Sequence, residues 1–367
     1  MTALPECLIE RPAAQPTLPR PAEQPQRSVD PLSAVLRAVR LRGAIYFLVD
    51  ASPPWAARAL PGKELAPALM PGSQHLIEYH VVKRGTCFGG LLGKPPLELG
   101  PGDVIVFPHG DAHVLSSAAS PRLSARAETD DVQSLLRRSS PPYPIHTGGS
   151  GAPTAELVCG FLGCDIRPFN PLIATLPRVL HVPADEKNAH LNALIALTLA
   201  ESAEAGAGSE VTLARLSELM FIEIVRSHLR THPAGSDWLR GLRDPLVGRA
   251  LSLLHGDPGH AWTLESLARA VSSSRSALAE RFRKFTGQAP MQYLAQWRMQ
   301  VAAGMLDEGN TNVAAVAFKV GYGSEAAFSR AFKKLVGASP AAWRDAREPR
   351  ALGGAPASPG SRRPKLH

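Results

Sequence analysis

The sequence is short of the features that mark most other protein classes. Its 367 residues include only four cysteines, Cys7, Cys87, Cys159 and Cys164, without paired spacing. That excludes a disulfide-built scaffold and suits a reducing compartment. There is no apolar run of twenty residues, and residues 1–27, rich in Pro, Gln and Ala, lack the hydrophobic centre of a signal peptide. A Gly-rich phosphate loop, a G-x-S-x-G elbow and a His-Glu-x-x-His pair are also missing, which removes the enzyme chemistries those motifs carry. The expectation is a soluble, cytoplasmic protein that is not an enzyme, long enough for two or three domains with cores of their own.

What is present is a duplication. Shifted by fifty positions, Ser274, Ala277, Phe282, Lys284, Gly287 and Pro290 fall on Ser324, Ala327, Phe332, Lys334, Gly337 and Pro340. Leu278/Phe328, Arg283/Lys333, Phe285/Leu335 and Tyr293/Trp343 match in kind. Each copy reads as helix, tight turn, helix: 264–270 and 274–285 in the first, 313–319 and 324–335 in the second. Ser274 and Ser324 stand where a hydroxyl caps the second helix, and Gly287 and Gly337 where it stops. Leu278, Phe282 and Phe285 form one apolar stripe, repeated by Phe328, Phe332 and Leu335. The opposite faces carry Arg275, Arg281, Arg283 and Lys284, and Arg330, Lys333 and Lys334. Residues 291–306, with Leu294, Trp297, Val301 and Met305 at helical spacing, predict one helix joining the units. Net charge is +8, and residues 245–347 hold 13 Lys or Arg against 7 Asp or Glu, six of those eight surplus charges. Basicity localised in this way favours a phosphate backbone.

The run from Ser274 through Leu278, Phe282-Arg283-Lys284 and Gly287, then Trp297-Arg298, Val320-Gly321-Tyr322-Gly323-Ser324, Phe328 to Lys334 and Gly337-Ala338-Ser339-Pro340, resembles the DNA-binding domain of AraC/XylS-type bacterial transcription regulators. The resemblance implies two recognition helices in successive major grooves of promoter DNA, ~34 Å apart. It implies base-edge contacts from Ser274, Arg275, Ser276 and Ala279 in the first unit and from Ser324, Glu325, Ala326 and Arg330 in the second. Arg281, Arg283, Lys284, Lys333 and Lys334 are assigned to phosphates. Arg330 is the leading reader, since an arginine there can grip a guanine with two bonds. Its counterpart Glu280 departs from the arginine common in the family. Activation, through RNA polymerase, is the commoner outcome in that family.

The amino-terminal part has a different period. Residues 1–29 read as a disordered leader, because prolines every few residues forbid both helix and sheet. Asp30-Pro31 predicts a helix start, followed by short β-prone runs at 44–49, 75–82, 86–88 and 103–107 and, after a Ser/Pro/Arg-rich loop from 116 to about 154, a last strand at 156–162. The stretch 101–113, with Gly102, Pro108, Gly110 and His113, resembles the second motif of cupin barrels, and Glu78, seven residues before Gly85, sits as the glutamate of the first motif does. The two histidines that precede that glutamate in metal-binding cupins are Gly72 and Gln74 here. Residues 30–116 thus resemble the cupin-like sensor domains attached to some AraC-type regulators.

Glu78 and His80 share a strand face, and with His113 they make a candidate two-histidine, one-carboxylate set for a divalent metal. The alternative is that the histidines brace strands or bind a small ligand, while His75 and His109 read as loop residues. Cys87, near Arg84, and Cys159 are the candidate redox-sensing thiols, against the reading that both are small core residues. Helices at 188–204 and 212–228 have apolar stripes that either pair protomers into a homodimer or are buried within one chain.

The expected fold class is therefore α+β and multidomain: a cupin-like β-barrel with flanking helices, then an all-α domain of two helix-turn-helix units joined by a linker helix. Its divisions are a leader at 1–29, the sensor domain at 30–232 with a helical segment at 172–232, a hinge at 233–244, the DNA-binding domain at 245–347 and a disordered tail at 348–367, whose Arg362, Arg363 and Lys365 touch phosphates. The expected function is sequence-specific transcription regulation under a small-molecule, metal or redox effector, without membrane association. The competing readings are a cupin metalloenzyme with a helical appendage, distinguished by metal-dependent turnover, and a nonspecific architectural DNA binder, distinguished by indifference to sequence.

Overall fold

Strand β3 (His75–Gly85) shows why the chain folds as it does: from Leu76 to Val82 every residue is buried. A strand buried on both faces must be covered from both sides. Its even members Leu76, Glu78, His80 and Val82 face a second sheet, while Ile77, Tyr79 and Val81 face helices. A computed structural model describes residues 29–43, 46–120, 142–204, 206–232, 237–308 and 311–345. The expected leader with Cys7, most of the loop to 154 and the basic tail lie outside the described residues.

Helix α1 (Pro31–Ala38) begins as expected, with the Asp30 carboxylate accepting from Ser33 N–H at 2.9 Å. The strands that follow are β1 (Tyr46–Ser52), β2 (Ala56–Ala59), β3, β4 (Cys87–Leu91), β5 (Leu97–Leu99), β6 (Val104–Phe107), β7 (His113–Ser116), β8 (Tyr143–Gly148), β9 (Ala155–Cys164) and β10 (Leu180–Val182), with α2 (Gly62–Leu69) after β2 and α3 (Pro171–Thr175) before β10. They form a six-stranded sheet in the order β10-β6-β3-β9-β1-β8 and a four-stranded sheet in the order β2-β7-β4-β5. The barrel of the sequence reading is thus two facing sheets. The run at 156–162 is not the last strand: β9 lies between β3 and β1, and β10 follows it to pair with β6. Strands β2, β5 and β10 were illegible because each has only three or four residues, too few to show a period.

Between the sheets lies a core of Phe47, Trp55, Leu99, Ile105, Phe107, Leu157 and Phe161. The far side of the larger sheet packs on α4 (Ala189–Ala203) and α5 (Ser209–Thr231) through Leu191, Ile195, Leu213, Met220, Phe221, Ile224 and Val225. Leu197, Val211 and Leu219 on the same two helices are exposed. The segment read as a hinge, 233–244, is described from Asp237 onward, and there it is packed. Helix α6 (Trp238–Gly241) buries Trp238 and Leu239 in the same core.

The remaining helices are α7 (Pro245–Gly256), α8 (Leu264–Ala270), α9 (Arg275–Thr286), α10 (Pro290–Asp307), α11 (Val313–Lys319), α12 (Glu325–Val336) and α13 (Pro340–Asp345). The core behind the sheet continues without a break into Leu251, Leu254, Leu278, Phe282, Tyr293 and Trp297, whereas the second unit has its own core of Met299, Leu306, Val316, Phe328 and Phe332.

Candidate nucleic-acid interface and sensor interior

The two helix-turn-helix units repeat each other in their bonds as well as their residues. In the first, Thr263 caps α8 in a reciprocal box with Ser266, the two backbone N–H groups reaching the partner hydroxyls at 2.9 and 3.0 Å. In the second, Asn312 caps α11 by accepting from Ala315 N–H at 2.7 Å. Both turns close with the same pair of backbone bonds, Ser272 N–H to Arg269 O and Ser273 N–H to Ala268 O, then Gly321 N–H to Phe318 O and Tyr322 N–H to Ala317 O. The residue inverted in each turn is Ser272 (φ 55°) and Gly321 (φ 82°). A Cβ at Gly321 would meet Gly259 O at 2.5 Å and the Arg298 guanidinium at 2.8 Å, so close approach as well as φ selects glycine there.

The second helices are capped as read, Ser274 Oγ accepting from Ala277 N–H and Ser324 Oγ from Ala327 N–H, both at 3.2 Å. Gly287 and Gly337 end them in the left-handed conformation. Leu278 and Phe282, like Phe328 and Phe332, are fully buried. Aromatic pairs brace both units edge to face, Phe282 on Tyr293 and Phe332 on Trp343, so the matched Tyr and Trp do the same work. The stripe breaks at its last member. Phe285 packs against Gly241 of α6, but Leu335 is 43% exposed.

With those stripes turned inward, Ser274, Arg275, Ser276, Arg283 and Lys284 stand exposed on one helix and Ser324, Glu325, Ala326, Arg330, Lys333 and Lys334 on the other; Ala279 is half-buried. Arg281 is spent differently. Its Nε and Nη2 hold Asp244 Oδ2 at 2.8 and 2.7 Å, and the other Asp244 oxygen caps α7 through Leu246 and Val247 N–H. Arg298, quoted in the motif without a role, proves to join the units. From α10 it donates to Pro258 O at 2.7 Å and His260 O at 2.8 Å, ahead of α8, and it lies over the Tyr322 ring in the second turn. A charged residue beside Trp297 on an apolar helix was the available signal for it.

In the sandwich, the left-handed Gly110 (φ 61°) and the bond from its N–H to Phe107 O turn the chain from β6 toward β7, where the His113 ring stacks on Phe107 with centroids 3.7 Å apart. His113 Nδ1–H donates to Asp111 O at 2.9 Å, and Arg178 holds the Asp111 carboxylate. Burial holds His113 neutral, its pKa lowered to about 4, and pushes His80 down as well. Neutral His113, protonated at Nδ1, accepts through Nε2. His80 therefore donates to it through its own Nε2, at 2.7 Å, and keeps a bare Nδ1. Glu78 is wholly buried, with one oxygen 3.8 Å from His113 Nε2, and burial raises its pKa to about 8.

These three side chains come together as expected, with the two histidine rings bonded to each other. The facing histidine nitrogens, 2.7 Å apart, share a proton. Among the described residues no group of three or more His, Cys, Asp or Glu is placed to hold a metal ion. Of the two readings for the thiols, the positions of Cys87 and Cys159 fit the small core residue, since both are buried. Burial pushes Cys87 up to about 12 and Cys159 higher still, and Arg84 is ion-paired with Glu156 at 2.6 Å. A buried thiol without a cation beside it stays protonated and unreactive. His75 and His109 are half-buried braces, donating to Pro108 O and Leu176 O at 2.7 and 2.8 Å.

Paired helix-turn-helix units with outward basic helices, behind a two-sheet domain with a buried polar cluster, define a two-domain DNA-binding regulator. A family model described as Cupin matches residues 30–230, and one described as Helix-turn-helix domain matches residues 267–346. A protein of Streptomyces lividans described as an AraC-like transcription regulator is 34% identical over 320 residues, 86% of this chain and 98% of that protein. The HTH-type transcriptional regulator AlkR of Acinetobacter baylyi is 27% identical over 321 residues, 86% of this chain and 99% of that one. The solved DNA-binding domain of AdpA in complex with a target DNA is 33% identical, covering 30% of this chain and 99% of that chain with a TM-score of 0.28. The chain belongs to the AraC-type family of transcription regulators, in the form that carries an amino-terminal cupin domain. It is a DNA-binding regulator and not a metalloenzyme. No helix among the described residues is long and apolar enough to cross a membrane.

Proposed function

We propose that this regulator is a cytoplasmic activator whose two recognition helices, α9 and α12, read one face of promoter DNA in successive major grooves, under the control of a small organic effector received by the cupin domain. The observation that carries the DNA reading is the double placement of capped, basic, outward-facing helices on one rigid connector, α10, tied to both units by Arg298. Base edges fall to Ser274, Arg275, Ser276, Ala279, Ser324, Glu325, Ala326 and Arg330, and phosphates to Arg283, Lys284, Lys333 and Lys334, a division that follows helix position and exposure. Arg281 is assigned to orientation, since its guanidinium already holds Asp244.

Neutral, buried thiols and a proton-sharing histidine pair favour an organic effector over a redox or metal signal. Exposed Leu197, Val211 and Leu219 on α4 and α5 support a homodimer through those helices, checked by sedimentation of the full chain. Activation implies contact with RNA polymerase, checked by transcription in vitro from the bound promoter.

Footprinting on the chain's own upstream region, with unrelated duplex as competitor and salt titrated, tests the core of the reading. A protected site of about two helical turns per protomer that survives competitor supports it; equal binding to every duplex overturns it. Arg330→Ala is expected to cost ~1–3 kcal/mol at that site and to relax discrimination at one base pair. An unchanged affinity removes Arg330 from the reading set.

A further inference from the structure

The sandwich interior contains hydrogen-bonding capacity that the described residues do not meet. Among the described residues, neither oxygen of Glu78 nor Nδ1 of His80 finds a hydrogen-bond partner, although both residues are buried. Folded proteins rarely leave such groups unmatched, and an exception points to a missing partner. Beside the cluster lies a cavity of about 140 Å³ bounded by β1, β2, β8, β9 and α2. Three of its wall residues, Phe161, Cys159 and Ala59, are the cross-strand partners of Glu78, His80 and His113. Directly opposed residues of antiparallel strands show their side chains on the same face, about 5 Å apart. The polar cluster therefore stands beside those three wall residues on the same face, without itself lining the cavity. The rest of the wall is apolar, except for the exposed Arg58 at its edge.

The chemistry of the unmet groups narrows what can sit there. His80 Nδ1 is an acceptor only, fixed as such by the chain of donors that runs through His80 and His113 to Asp111 O. Glu78 in its neutral form offers one donor and one acceptor, and its raised pKa of about 8 makes that form the resident one near neutrality. A hydroxyl matches this set, giving one hydrogen and accepting another. A carboxylate does not, because it would present oxygens to acceptors, and an ammonium would require Glu78 to ionise out of water. A cavity of about 150 Å³ takes a benzene ring, which sets the size of the apolar body.

We propose that the cupin domain binds a compact neutral alcohol or phenol, its apolar body of about ring size in the cavity and its hydroxyl on Glu78 and His80. This rests on the reading of the domain as a small-molecule sensor and names the class of its effector. The effector's apolar walls include Leu65 and Leu69 of α2, so occupancy would bear on the helix that closes the sandwich.

Calorimetric titration of the full-length protein with phenol, benzene and benzoate tests the inference. Phenol is expected to bind roughly tenfold or more tighter than benzene, and benzoate more weakly than either. Glu78→Leu removes a buried unmatched carboxyl and should fold at least as well as the native chain; it should shrink the difference between phenol and benzene, leaving only the bond to His80, while benzene still binds. Leu65→Trp, which fills the cavity and leaves Glu78 in place, should abolish binding of both. Equal binding of phenol and benzene to the native protein overturns the assignment of the head group. Benzoate as the tightest ligand overturns it in favour of Arg58. Absence of binding by all three to protein that still protects its operator overturns the inference and leaves the DNA-binding reading standing, whereas loss of operator protection counts against that reading instead.

Discussion

His255 shows how much one buried ring can report. Its Nε2 accepts from the Tyr293 hydroxyl at 2.9 Å, Tyr293 in turn accepts from Trp238 Nε1–H at 2.8 Å, and the imidazole stacks on Trp297. Burial lowers its pKa from 6.5 to about 3. The unfolded chain therefore binds a proton between those values that the folded chain refuses, so stability is lost as pH falls from 6.5 toward 3. The slope is about 1.4 kcal/mol per pH unit from this group alone. Thermal melts of the native protein and of His255→Asn across pH 4–7 check this: the variant's curve should be flatter over that window. Parallel curves would show that His255 does not titrate there. Glu78 works in the other direction, its raised pKa making the sandwich most stable where the carboxyl is neutral.

Among the elements, the turns between helices set the geometry that DNA binding needs. The first turn tolerates Ser272 at φ 55°, but the second has Gly321 wedged between Gly259 O and Arg298. Gly321→Ala is expected to cost ~2 kcal/mol, about half from the left-handed backbone and the rest from displaced contacts. Because Arg298 also carries the link to the first unit, operator affinity should fall more than stability does. Chemical denaturation and a footprint titration on the same preparation read the two separately. An affinity loss no greater than that of an exposed-surface control would mean that Arg298 does not hold the two units in register.

At the scale of the whole molecule, the sensor and the first helix-turn-helix unit share a core, and Arg40 ties the sensor to the linker helix. Its Nε donates to Asp165 at 2.7 Å, just past β9, and its Nη2 reaches Asp307 at the end of α10. Gln300 of α10, itself buried, accepts from Phe169 N–H and donates to Ala38 O, both at 2.9 Å. Asp307 also accepts from Trp343 Nε1–H, so the same carboxylate touches the second unit. Strand β9, which carries Cys159 and Phe161 along the cavity, thus ends at the joint that holds the DNA-binding helices. Arg40→Ala removes the cation shared by two buried carboxylates and is expected to cost about 3 kcal/mol. Limited proteolysis should then cut faster between the sandwich and α7, and operator affinity should lose its response to effector. Unchanged cleavage with effector response intact would remove Arg40 from the coupling path.

The duplicated unit was legible from the residues alone, since helix caps, stop glycines and inward stripes are local and are written twice: Ser274 and Ser324, Gly287 and Gly337, Phe282 and Phe332 all do what their spacing says. Strand alternation and one glycine motif likewise brought Glu78, His80 and His113 together. What those groups became was set by the packing of the sheets around them. That two histidines face each other across a hydrogen bond turns on strand pairing and burial, and no spacing encodes either. The exposure of Leu335, the pairing of Arg281 with Asp244 and the joint of Arg40 with Asp165 and Asp307 depend on helices and strands far apart in sequence. Contacts at such separations exist only once the chain has closed around them.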